Sequence, residues 1–127
     1  MNSFKPCPCG SNLNLEQCCL PYISNEIVVP TSEKLMRSRY TAYCFHNADY
    51  LYNTTHVSQK KYTNKQDILS WAKQNTWTKL EIINFSENMV EFKAYYLDSN
   101  SNPQIHHEKS TFIKFQENWF YVDGKFY

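Results

Sequence analysis

The residues best suited to chemistry crowd the start of the chain. Cys7-Pro8-Cys9-Gly10-Ser11 and Cys18-Cys19 place four of the five cysteines within the first 19 residues. Thiolates grouped as C-x-C and C-C on a short loop converge on a tetrahedral soft ion, at roughly 2.3 Å per Zn–S bond. Pro8 stiffens the first pair, and Gly10 supplies the unusual backbone that turns the chain around the ion. Ligand type and spacing predict one structural zinc on Cys7, Cys9, Cys18 and Cys19, with iron the less favoured occupant. Disulfides are the competing use of these thiols, but adjacent Cys18 and Cys19 pair poorly with each other. A closed four-thiolate set has no open coordination position, so the ion orders the chain and is not a hydrolytic centre. Cys44 falls on an apolar helical face and reads as a small core residue.

Composition excludes other chemistries. Thirteen Lys and Arg against twelve Asp and Glu leave a formal charge of +1. Four thiolates and a divalent ion lower that by two, to −1, so nucleic acid is not the expected partner. No nucleophile–base pair or dinucleotide fingerprint is present, and two glycines leave little room for a phosphate-cradling loop. Apolar runs such as Ile27-Val28-Val29 are too short to span a bilayer, and Met1–Pro6 lacks the apolar core of a secretory signal. The expectation is a soluble, cytoplasmic monomer or homodimer with no membrane partner.

The elements that must position these residues begin after the cysteines. With 127 residues, the division expected is a metal-ordered knuckle at 1–23 and one domain at 24–127. Pro30-Thr31-Ser32-Glu33 opens a helix, and Met36, Tyr40, Tyr43 and Cys44 share one face of it. A second helix opens at Asn47 and turns Tyr50, Leu51 and Thr54 inward. A third starts from a Thr63…Gln66 capping box and carries Ile68, Leu69 and Ala72 on one face. After residue 76 the period falls to two. Val90, Phe92, Ala94 and Tyr96 alternate with polar positions, as do Glu108, Ser110 and Phe112; Trp119–Val122 is a last strand. Helices followed by consecutive antiparallel strands make an α+β fold.

Two stretches resemble known families. Cys7-Pro8-Cys9-Gly10-Ser11 with Cys18-Cys19 is similar to the SEC-C zinc motif, named for the tail of the SecA translocation motor. Leu35–Tyr40, Ala42-Tyr43, Asp49–Leu51, Thr55-His56, His107-Glu108, Ser110, Phe112 and Trp119–Gly124 resemble the bacterial YchJ family. The resemblance implies a nuclear-transport-factor-2-like domain behind the knuckle: a cone-shaped, curved antiparallel sheet wrapped around N-terminal helices, enclosing a cavity. It names no reaction. The knuckle loop Ser11–Gln17 has no lysine or arginine, unlike the basic loop of the translocation-motor tail. Internal docking through Leu13, Leu15 and Leu20 is therefore expected ahead of ribosome- or translocation-associated binding.

Within such a cone the candidate pocket residues are Arg37, Tyr40, His56, Glu108, Trp119, Tyr121 and Asp123. Arg37 and Arg39 point about 200° apart on a helix. Arg37, beside Met36 and Tyr40, is the one expected to face inward and meet Glu108 or Asp123, as a carboxylate clamp or a structural ion pair. His56 has a pKa suited to a general base, or closes the second helix by bonding its free carbonyls. His106 and Glu108 share a strand face while His107 faces away, too few ligands for a second metal. Trp119, Tyr121 and Asp123 follow one face of the last strand. The leading expectation is a binding or adaptor module, met by a protein at the knuckle or a small ligand in the cavity; a cavity enzyme is the alternative.

Overall fold

The computed structural model describes residues 4–127. Short helices α1 (Leu20–Ile23), α2 (Ser32–Cys44), α3 (Ala48–Asn53), α4 (Val57–Lys60) and α5 (Lys65–Gln74) precede four strands. These are β1 (Thr76–Ser86), β2 (Met89–Leu97), β3 (Pro103–Phe115) and β4 (Asn118–Phe126). The strands form an antiparallel meander in the order β1-β2-β3-β4.

Local chemistry places the helices. The Thr31 side chain accepts from the Lys34 backbone N–H, and Asn47 does the same for Tyr50, so α2 and α3 start where the caps predict. The third predicted helix starts one residue late. Asn64, not Thr63, is its N-cap, accepting from Asp67 N–H at 2.8 Å, and its amide reaches the Asp67 carboxylate in return. Asn competes well for this position, so the box slides to Asn64…Asp67.

The α2 helix is the spine of the core. Leu35, Met36, Ser38, Arg39, Tyr40, Thr41 and Ala42 are all buried, an arc wider than one apolar stripe, because the cysteine loop covers one side and the sheet the other. Val90, Phe92 and Ala94 of β2 and Glu108, Ser110 and Phe112 of β3 point onto it with the predicted alternation.

Extra residues in the register curve the sheet. They fall at Thr78 and Ile83 in β1 and at Val122 in β4. The last changes which side chains enter the cone. Up to Tyr121 the odd residues of β4 face inward; beyond Val122, Gly124 and Phe126 do so, and Asp123 turns out to solvent. Asp123 is thereby corrected as a pocket residue: strict alternation does not survive a bulge. The α3–α4 junction then covers the edge of β4. Tyr121 N–H donates to the Thr54 carbonyl and His56 N–H to the Tyr121 carbonyl, both at 2.8 Å.

Candidate metal centre and cavity

The cysteine loop is built by its own backbone. Cys7 N–H donates to the Leu13 carbonyl at 2.9 Å, Leu15 N–H to Lys5 at 2.8 Å, and Asn14 caps a 3₁₀ turn at Leu15–Gln17. Gly10 sits at φ 83°, where a side chain would strain the turn that brings Cys9 back toward Cys18. The four Sγ atoms come within 4.8 Å of one another, with Cys9–Cys18 at 3.6 Å and Cys18–Cys19 at 3.9 Å. A tetrahedral ion with bonds of about 2.3 Å holds its ligands about 3.8 Å apart, so the arrangement fits a metal.

Electrostatics of the cluster point the same way. Thiol donors at Cys19 and then Cys7 hold Cys9 far below the ordinary thiol range, while burial pushes Cys18 up to about 11. Cys19 is raised by its hydrogen bonds to Cys7 and then to Cys9, the second being the bond that lowers Cys9. A lowered Cys9 beside raised thiols at Cys18 and Cys19 is a ligand set that releases protons when a cation enters.

The loop is sealed into the protein. Cys7, Cys9 and Cys19 are buried in the same cluster as Leu35, Met36 and Tyr40, and the Cys7 Sγ lies 3.6 Å from Thr41 Oγ1. Of the three leucines expected to dock, Leu15 packs on this core, while Leu13 (53%) and Leu20 (36%) remain exposed. The cysteines themselves and Arg37 do the docking. Arg37 does not enter the cone; Nη1 donates to the Cys9 carbonyl at 2.8 Å and Nε to Glu33 at 3.0 Å. Replacing it by alanine removes a charge-assisted tether and should cost about 1.5–3 kcal/mol. Chelator competition should then strip the metal faster than from wild type; an unchanged melting temperature and release rate would assign the docking to the thiols alone.

A second cavity, about 220 Å³, opens between α2, α5 and the concave face of the sheet. It brings together three of the sequence candidates, Tyr40, Glu108 and Tyr121. Glu108 is 5% exposed and saturated: His106 Nε2 lies 2.7 Å from Oε1, while Ser110 Oγ and the Tyr121 hydroxyl donate to Oε2 at 2.6 and 2.8 Å. Burial alone would raise its pKa, but these three bonds outweigh it and hold the carboxyl below its ordinary value. Burial, and then Glu108 itself, push the Tyr121 hydroxyl upward, so it stays a donor.

His56 and Trp119 lie outside this cavity. His56 is neither a base within it nor the end of α3: its Nδ1 caps α4 by accepting from Ser58 N–H at 3.2 Å. The Trp119 indole donates to the Pro30 carbonyl and faces a separate cleft beside α3. The arginine that does enter the cone is Arg39, stacked 4.6 Å over the Tyr121 ring. Spacing held the signal for it: Arg39 is three residues after Met36 and four before Tyr43, on the same helical face. Trp71 and Trp77, also missed, close the apolar wall with rings 6.2 Å apart.

With this geometry in view, comparison with known proteins gives a consistent answer. Residues 5–21 match the SEC-C motif, and residues 31–124 match the family described as "YchJ, middle NTF2-like domain". A UPF0225 protein of Photorhabdus laumondii is 40% identical over 125 residues, covering 93% of this chain and 79% of its own. One from Geobacter sulfurreducens is 34% identical over 125 residues, with 93% and 77% covered. Among solved structures, a SEC-C motif containing protein from Rhodopseudomonas palustris superposes with a TM-score of 0.87 at 28% identity, covering 95% of this chain and 98% of that one. Another, from Psychrobacter arcticus, gives 0.77 at 28% identity, with 95% and 81% covered. A cysteine loop fused to a curved α+β cone is what these relatives share, and the chain belongs to the YchJ family of UPF0225 proteins, a SEC-C motif followed by an NTF2-like domain.

Proposed function

We propose that this chain is a binding protein ordered by one structural zinc, with the cavity of the cone as its ligand site. The observation that carries the proposal is the burial of Cys7, Cys9 and Cys19 in the core that also forms the cavity wall through Met36 and Tyr40. A borderline-soft d¹⁰ ion suits four thiolates and imposes no geometry of its own, which favours zinc. Four protein ligands leave it no position for substrate, so its contribution is to folding. Polar groups converging inside aromatic walls are the usual make-up of a small-molecule site.

Elemental analysis of the purified protein should give about one zinc per chain. Emission from Trp71 and Trp77, which line the cavity, should change saturably with some members of a panel of small aromatic compounds. Metal-free protein with normal melting would remove the zinc, and a silent panel would remove the ligand site.

A further inference from the structure

We infer that the cavity takes a small organic acid, its carboxylate on the free edge of Arg39 and its apolar body against Trp71 and Trp77. The inference rests on the cavity being a ligand site, as proposed above, and names the class of ligand.

Arg39 is 7% exposed, yet no carboxylate among the described residues forms an ion pair with it. Its Nη1 is committed to the fold, donating to the Leu51 carbonyl at 2.9 Å and to Thr54 Oγ1 at 2.7 Å. Nε and Nη2 have no acceptor among the described residues. No fully buried side-chain nitrogen or oxygen there is left without a partner, so this edge of the guanidinium is not fully sealed from solvent, and Arg39 lines the cavity. The Tyr121 ring lies beneath it, 4.6 Å from Cζ to the ring centroid, a cation–π contact that helps hold the group in place. A buried, oriented guanidinium with a free edge is built for a planar, bidentate acceptor.

Three further observations narrow the class. Glu108 lines the same cavity, and all its hydrogen bonds come from His106, Ser110 and Tyr121 rather than Arg39. Glu108 and Arg39 both line the cavity and their charges offset, so a dianion such as phosphate is opposed more strongly than a monoanion. Much of the remaining lining is aromatic: Trp71, Trp77 and Phe92 offer ring faces and edges, beside Tyr43 one turn along α2 from Arg39. The volume, about 220 Å³, equals the liquid share of about seven waters, enough for one ring and a short acid arm.

The test titrates zinc-loaded, full-length protein with phenylacetate, its uncharged isostere phenylacetamide, and inorganic phosphate, reading tryptophan emission. Phenylacetate should bind saturably and at least about tenfold more tightly than phenylacetamide, with no response to phosphate. Arg39→Lys, which keeps the charge but loses the fork, should remove most of that preference. The wild-type comparison of acid with amide does not depend on the variant folding. Equal binding of acid and amide would overturn the carboxylate assignment and leave the cavity as a neutral ligand site. Phosphate binding as tightly as phenylacetate would make it an inorganic anion site. No response to either ring compound would overturn the inference and, with a silent wider panel, the ligand-site reading as well.

Discussion

Metal removal is expected to unfold more than the cysteine loop. Chelator-treated protein, or Cys9→Ser, should lose on the order of 5 kcal/mol, and the melting temperature should fall by more than about 10 °C. Three of the four thiols sit within the main core, against Leu35, Met36 and Tyr40 of α2. A loop of some 20 residues cannot order itself by burial. Without the ion, nothing bridges the four thiols to offset the cost of ordering the loop. The loop must therefore leave the surface of α2, uncovering the helix face it protects. Domains of this size have only about 5–15 kcal/mol of total stability, so such a loss is nearly decisive. Cys44→Ala provides the contrast, since that thiol lies outside the cluster and its replacement should leave the metal content unchanged. Melting of the metal-free protein within a degree or two of the loaded form would refute a structural role.

What was legible in the sequence, and what was not, divides along the range of the interactions. The cysteine cluster, a helix start at Thr31-Ser32, another at Asn47 and the alternation of β2 are set within a few residues, and each is found where spacing puts it. Asp123 fails because a bulge at Val122 reverses the parity of β4, and nothing in Tyr121-Val122-Asp123 announces one. Arg37 and Arg39 exchange roles because α2 has two buried sides, one against the cysteine loop and one against the sheet. A single apolar stripe cannot express that. Leu13 and Leu15 are separated only by Asn14, the cap of the 3₁₀ turn that begins at Leu15; Leu15 packs on the core and Leu13 stays outside.

The buried carboxylate at the base of the cavity should be the second sensitive point. Glu108→Ala leaves three donors without their acceptor, His106, Ser110 and the Tyr121 hydroxyl, and should cost about 3–5 kcal/mol. Glu108→Gln keeps an acceptor but loses the charge, so its penalty should depend on pH. The folded-state pKa of Glu108 lies below the ordinary carboxylate value, so its ionised form stabilises the fold above that value. That stability is lost as pH falls through the folded-state pKa. The groups facing it are His106 and Ser110 on β3 and Tyr121 on β4, with Arg39 and Tyr43 of α2 lining the same cavity. Denaturant midpoints for wild type and Glu108→Gln should differ by a constant amount near neutrality and converge as pH falls through the folded-state pKa of Glu108. Acid release of the metal affects both proteins and cancels in the difference. Gly124 supplies an independent check. A Cβ there would overlap the Glu108 carboxylate and its methylenes. Gly124→Ala should therefore cost about 1–3 kcal/mol in wild type and much less in the Glu108→Ala background, a coupling read from the double-mutant cycle. Additive penalties, or a wild-type to Gln difference that does not change with pH, would mean that the ionised carboxylate is not what holds this face of the cone together.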